Sequence, residues 1–336
     1  MPRRARIAGT GMSVGNRVVT NADMTQWMDT TEEWIEQRTG ILERRWVDDT
    51  QKPSTLARDA TLGALEQADL DVSDIDCILL ATLSGEADFP GTAFFLHEAI
   101  DAGDIPCIDL RAQCSGFLYA LQMADALIVA EKYDRVLVVG AEVHSTGLDV
   151  STSGRDVTVI FGDGSGAVIL EATEAAGGTA PGLLSVRIHA EGKHAKRLWT
   201  EAPGSAHSPR LDQAMMEAGL HYPVMDGRFV FKHAVTRMPE VLLETLNSAS
   251  VKMEDVDLFL FHQANLRINE FVAQKLEIPG DKIRNNIQRL GNCSAAALPF
   301  LLAESSRDGS LSPGQVVSLT AFGSGFTWGS AVIRWG

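Results

Sequence analysis

The chain has 336 residues, is 45% hydrophobic and 22% charged, and carries a formal charge of −15 at pH 7. Such a composition suits a globular protein with a sizeable core, of one large fold or two domains, and excludes a disordered chain. The acidic balance argues against nucleic acid and anionic membranes as partners, and apolar runs such as CILLATL and VLVVGA break far short of the roughly 18 residues that a spanning helix needs.

Near the start, Arg3 and Arg4 precede the polar GTGMSVGNRVVTN rather than an apolar stretch, so no secretory or twin-arginine signal is expected and the cytoplasm is. Cys77, Cys107, Cys114 and Cys293 show no C-x-x-C spacing and read as reduced thiols. From Ala64, ALEQADLDVSDIDCILLAT reads as a helix end, a turn holding Asp74 and Asp76, and a strand apolar on both faces. It aligns without gaps, at an offset of 181, with TLNSASVKMEDVDLFLFHQ from Thr245, where Asp255 and Asp257 occupy the turn. A buried helix is predicted from Cys114 (CSGFLYALQMADALIVA), with CSAAALPFLLAESSRDG from Cys293 as its counterpart at an offset of 179. A strand follows each, DRVLVVGAE from Asp134 and GQVVSLTAF from Gly314. Helix, strand, helix, strand therefore repeats, which predicts a duplicated, layered α/β fold with mostly parallel sheets covered by helices. The Gly, Ala and Thr cluster at 171–182 marks the boundary and divides the chain into halves 1–176 and 177–336.

Four places offer chemistry. Cys114 lies where a short strand ends and an apolar helix begins, so the positive helix terminus would favour its thiolate, although a Cys in apolar sequence also reads as inert core. FGDGSGAVIL, from Phe161, lacks the Lys-Ser/Thr of a phosphate loop and reads as a turn into a strand. His262 ends the strand DLFLF, at the carboxyl edge where α/β proteins place functional groups, and is either a satisfied structural residue or an acid, base or donor. Asn292 precedes Cys293 in RLGNCSAA, and the repeat brings Cys114, Asn292 and Cys293 towards a pseudo-twofold axis. Gly323, Gly325 and Gly329 in AFGSGFTWGSAVIRWG predict a tight turn whose backbone N–H groups could bind an oxyanion.

The ordered motifs DTTEEWIEQRTGI, QCSGFLYAL, VIFGDGSGAVIL, VFKHAV, FHQANLR, GNCSAAALP and AFGSGFTWGSAVIRW resemble, over essentially the whole chain, those of β-ketoacyl-acyl-carrier-protein synthase III, a thiolase-superfamily condensing enzyme. The resemblance implies a duplicated five-layered αβαβα fold, a homodimer, and condensation of an acyl-CoA primer with malonyl-acyl carrier protein, with no metal and no permanently bound cofactor. It makes Cys114 the acylated nucleophile, His262 and Asn292 the pair assisting decarboxylation, and the backbone N–H groups of Cys114 and Ser324 an oxyanion hole. Trp34, Arg38 and Arg155 match the residues holding the CoA adenine and phosphates, Arg228 stands at a pantetheine contact, and Asn265, in the same region, matches a residue hydrogen-bonding near the catalytic His. Phe89 matches an aromatic beside the acyl channel. Lys232 and Arg267, with Arg237 and Lys275, match or adjoin the docking region for an acidic carrier protein.

Departures from the pattern leave primer length and branching open: Arg111 and Gln113 replace small residues before the nucleophile, the stretch 198–223 is long, Arg228 replaces an Asn, Ser324 a Gly, and Cys293 a Thr. Cys293 could imitate the second thiol of a thiolase, but it follows Asn292 as in synthase III. An acyltransferase of specialised metabolism and a non-catalytic acyl-CoA or carrier-protein binding module are the remaining alternatives.

Overall fold

Each half of the chain contributes a five-stranded sheet, and in the computed structural model, which describes residues 3–174 and 179–336, the two sheets have one topology. The first contains β1 (Arg3–Val14), β2 (Cys77–Ala81), β3 (Cys107–Leu110), β4 (Arg135–Glu142) and β5 (Gly164–Glu174), in the order β1-β5-β4-β2-β3. The second contains β6 (Gly182–Ala190), β7 (Leu258–Phe261), β8 (Ile283–Arg284), β9 (Val316–Gly323) and β10 (Thr327–Arg334), in the matching order β6-β10-β9-β7-β8. In each sheet two pairings are parallel and two antiparallel. The expectation of mostly parallel sheets is thus corrected to mixed ones. The reason is local for β9 and β10: the short Ser324–Phe326 connection can join only antiparallel neighbours.

The helices that matter for the site are α1 (Glu32–Thr39), α2 (Pro53–Ala68), α3 (Gly116–Val129), α4 (Gly227–Ala249), α5 (Leu266–Lys275) and α6 (Ala297–Arg307). Between the sheets, Phe117 and Leu121 of α3 and Leu298 and Leu302 of α6 pack against Leu79 and Val138 on one side and Leu260 and Leu319 on the other. Alternate strand residues point the opposite way, because side chains along a strand alternate faces. Ile78, Leu80 and Val139 meet Ala57, Ala60 and Ala64 of α2, while Phe259 and Phe261 meet Met238 and Leu242 of α4. The five αβαβα layers follow, and with both faces of each sheet covered the central strands are apolar throughout.

The duplication extends to backbone conformation. Gln113 (φ 46°) and Ser294 (φ 44°) both take the left-handed conformation at the head of short turns, Gln113–Ser115 and Ser294–Ala296, that lead into α3 and α6. The structural equivalent of Cys114 is therefore Ala295, and the offset of 181 holds here too. The pairing of Cys114 with Cys293 was two residues out, because the shared Cys-Ser letters do not coincide with the shared turn. The division at 176/177 lies outside the described residues. Among the described residues no helix is long and apolar enough to cross a membrane.

Candidate active site

Cys114 sits in the turn between β3 and α3 and is only 7% exposed. The Ser294 hydroxyl donates to its sulfur at 3.6 Å, and the backbone N–H groups of Cys114 and Ser324 also point at it. Burial nevertheless dominates and pushes the thiol up to about 11, with buried Glu142 adding to the rise and the three donors only partly offsetting it. This corrects the expectation of a thiol activated by a helix terminus, since exclusion of water penalises the thiolate more than these dipoles favour it. Gly323 closes the site from the end of β9: a Cβ there would lie 2.8 Å from the Cys114 Cβ and 3.0 Å from its nitrogen, so no larger residue fits without moving the sulfur.

His262 follows β7 and is held through its backbone N–H, which donates to Thr320 O at 2.8 Å. Its ring is 2% exposed, neither nitrogen has a partner among the described residues, and burial pushes its pKa down to about 3. The ring is therefore neutral at pH 7, with one N–H to donate. Asn292 is fixed at three points: its N–H donates to Ile160 O at 2.9 Å, its carbonyl accepts from Gly162 N at 3.0 Å, and its Oδ1 accepts from Ser294 N at 2.9 Å. With Oδ1 engaged, the side-chain NH2 is what the amide has left to offer.

Cys293 does not join this group. Its thiol donates to Leu290 O at 3.5 Å, and burial raises its pKa well above the ordinary value. Ser294 takes the place expected for Cys293. The sequence reading passed over Ser294 although it stood in the quoted motif, because its left-handed backbone has no signature in a Ser. Glu142 was also missed. It ends β4 fully buried and accepts from Thr82 Oγ1 at 3.2 Å, Leu83 N at 3.1 Å and Ala295 N at 3.4 Å, so it ties the two halves together beside the thiol. Its one signal was a carboxylate closing the apolar run VLVVGA.

A cavity of about 810 Å³ opens above Cys114; its lining includes Ser324 but neither His262 nor Asn292. Arg111 and Gln113 line it, and Leu198, Trp199, Thr200, His221 and Pro223 bring in the long stretch 198–223, so these departures, with Ser324, meet at this wall, while Arg228 and Cys293 lie outside it. Phe89, expected beside the acyl channel, does not line this cavity and is 83% exposed.

The other candidates lie further out. The guanidinium carbons of Arg38 and Arg155 each rest 4.7 Å from the Trp34 ring centroid, so both cations contact the indole itself. Arg155 is also tied to Asp29 O at 2.7 Å. Asn265 caps α5 by accepting from Arg267 N at 2.9 Å and donates to Arg38 O at 3.0 Å, rather than bonding near the His262 ring. Arg267 donates to Gln37 O at 2.9 Å and Glu36 O at 3.1 Å and pairs with Glu270 at 2.8 Å, so its guanidinium caps the carbonyl end of α1. Arg237 pairs with Glu240 at 2.9 Å and Glu191 at 3.5 Å, and Lys275 donates to Val235 O at 3.3 Å. Arg228 and Lys232, one turn apart on α4, are exposed and have no side-chain partner among the described residues.

Residues 108–192 match the family described as 3-oxoacyl-[acyl-carrier-protein (ACP)] synthase III, and residues 246–335 match its C-terminal counterpart. A β-ketoacyl-[acyl-carrier-protein] synthase III of Rhodospirillum rubrum is 41% identical over 333 residues, covering 98% of this chain and 99% of its own. The crystal structure of 3-oxoacyl-[acyl-carrier-protein] synthase III from Aquifex aeolicus is similar with a TM-score of 0.89 and 38% identity, over 98% of this chain and 100% of that one. The priming β-ketosynthase of the R1128 polyketide pathway superposes with a TM-score of 0.90 at 28% identity, over 100% and 98%.

Proposed function

The chain belongs to the 3-oxoacyl-[acyl-carrier-protein] synthase III family, and from that premise we propose that Cys114 is the nucleophile of its condensing reaction, with His262 and Asn292 stabilising the carbanion step. It is a condensing acyltransferase of the type that initiates fatty acid synthesis. The observation that carries the residue assignment is the placement of the Cys114 sulfur at a cavity wall with two backbone N–H groups aimed at it.

In the proposed sequence the Cys114 sulfur attacks the acyl-CoA thioester, its proton passes to the departing CoA thiolate, and the tetrahedral oxyanion is held by the Cys114 and Ser324 N–H groups. Malonyl-acyl carrier protein then loses CO2. The electrons of the broken bond reside on the thioester enolate, whose oxygen accepts from the neutral His262 ring and the free Asn292 amide. The enolate carbon attacks the acyl-Cys carbonyl and expels Cys114 as thiolate, giving 3-oxoacyl-acyl carrier protein, and the thiolate takes one proton from solvent to restore the resting thiol. No permanently bound cofactor enters this scheme.

Trp34, Arg38, Arg155 and Arg228 would hold the CoA moiety, with Arg155 moving off the indole to admit the base. Exposed Lys232 and Arg228 are the best-supported docking charges for an acidic carrier protein. A cytoplasmic homodimer completes the reading: Phe89, Phe94 and Ile108 are exposed apolar residues on or near β3, an open sheet edge of the kind that pairs with another chain.

Single-turnover acylation followed by intact-mass analysis, with labelled CO2 release measured in parallel, tests the mechanism. Asn292→Ala and His262→Ala should accumulate acyl-Cys114 yet release CO2 about 10²–10³-fold more slowly. Normal CO2 release in either variant overturns its assigned role, and no adduct with any donor would favour the non-catalytic binder.

A further inference from the structure

The cavity above Cys114 carries a charge for which an alkyl primer has no use. Its formally charged lining residues are Arg111, Lys52 and Glu86, two cations against one anion, in a chain whose overall charge is −15. Lys52 faces Glu86 at 3.7 Å, which leaves Arg111 as the uncompensated cation. Arg111 is exposed, and its guanidinium has no hydrogen-bond or ion-pair partner among the described residues. The nearby acids are engaged elsewhere. Asp109, two residues before it, accepts from Thr92 N at 2.7 Å and Ala93 N at 2.6 Å, and buried Glu142 is held by Thr82, Leu83 and Ala295. The wall thus offers a guanidinium that no carboxylate of this chain neutralises.

Which anion meets it follows from what else lines the cavity. His262 and Asn292, assigned to the malonyl thioester, do not, and neither do Trp34, Arg38, Arg155 and Arg228, assigned to CoA. The anion therefore belongs to the acyl group itself. We infer that the primer is the CoA monothioester of a dicarboxylic acid, and that Arg111 is the specificity-determining residue that pairs with its free carboxylate. The inference rests on the reading of Cys114 as the acylated thiol. Arg111 precedes Cys114 by three residues, so their Cα atoms lie within about 11 Å of each other, a span suited to a short diacid. An alkyl tail filling the cavity strips water from the guanidinium and returns nothing, whereas a carboxylate accepts two parallel N–H bonds from its fork. The carboxylate itself does not react: the acyl carbon exchanges its bond to the CoA sulfur for one to the Cys114 sulfur, and the thiol proton leaves with the CoA thiolate.

The test is Cys114 acylation of the full chain followed by intact mass, comparing succinyl-, glutaryl- and adipoyl-CoA with butyryl-, valeryl- and hexanoyl-CoA, each pair matched in length. For at least one pair the dicarboxylic donor should acylate wild-type protein about tenfold or more faster, the advantage a hydrogen bond to a charged group confers. Arg111→Gln should remove that preference, slowing the dicarboxylic donor and quickening the alkyl one, while Arg111→Lys, which keeps the charge but not the fork, should retain part of it. Faster acylation of wild type by the alkyl donor in every pair overturns the inference and leaves Cys114 as nucleophile. So does an unchanged ratio in Arg111→Gln: a shift towards monomer in light scattering would then assign the side chain to a dimer contact, and slower condensation with malonyl-carrier protein would assign it to the second substrate. Loss of both donor classes in Arg111→Gln overturns it too, because the side chain would then be structural. Acylation of wild type by no donor at all would overturn the reading of Cys114 and this inference with it.

Discussion

At the scale of single residues, burial decides the two titrations that matter. With the Cys114 thiol pushed up to about 11 by burial, the resting protein holds a protonated thiol at pH 7. Its alkylation by iodoacetamide should still climb about tenfold per pH unit between about pH 8 and 9.5, where a free thiol near 8.5 has begun to level off. A plateau below about pH 8.5 would sink this account. His262 offers a stability test, because its folded pKa of about 3 lies below the ordinary 6.5. The unfolded chain therefore takes up the proton first, and the fold loses stability as pH falls from about 6.5 towards 3, by about 1.4 kcal/mol per unit. Denaturant unfolding at pH 7.5 and 5 should show His262→Phe escaping about 2 kcal/mol of the acid loss suffered by wild type. Equal losses in both would mean that the ring is not excluded from water.

At the scale of elements, α1 is too short to persist alone and is held by its neighbour. Its carbonyl end is met by the Gly40 N–H at 2.8 Å from Glu36 O, by Arg267 at Glu36 and Gln37, and by Asn265 at Arg38. If Trp34 and Arg38 of α1 hold CoA as proposed, Arg267 should affect CoA recognition through this cap as a positioning residue. Arg267→Ala should cost about 1 kcal/mol of stability, discounted for its partial exposure, and should raise KM for acyl-CoA more than for a truncated acyl-pantetheine donor. Lys232→Glu should instead raise KM for malonyl-carrier protein selectively. If Arg267→Ala alters only the carrier-protein KM, the cap is incidental.

At the scale of the whole molecule, β3 leaves the first sheet with an open edge flanked by exposed Phe89, Phe94 and Ile108. Light scattering should find the wild type as a dimer and Ile108→Lys shifted towards monomer, because a charge on an edge strand opposes pairing. Phe89→Ala should weaken the dimer less if its ring enters a partner's cavity rather than the edge contact itself. A wild-type monomer at micromolar concentration would remove the homodimer from the functional reading.

The sequence by itself determined the repeated helix–strand order, the offset of 181 residues, the apolar strands that demand cover on both faces, and the Cys114, His262 and Asn292 candidates at element ends. These are local properties: periodicity and the residue types bordering a strand or helix survive in one dimension. Other features depended on contacts between residues far apart in the chain. That Ser294 rather than Cys293 reaches the Cys114 sulfur follows from a left-handed turn that Ser does not advertise. That Arg267 and Asn265 serve α1 follows from packing across more than 220 residues of sequence. That stretch 198–223 walls the cavity, and that the Cys114 thiol is raised rather than lowered, were decided by tertiary structure alone, because solvent exclusion belongs to the assembled layers and has no counterpart in the order of the letters.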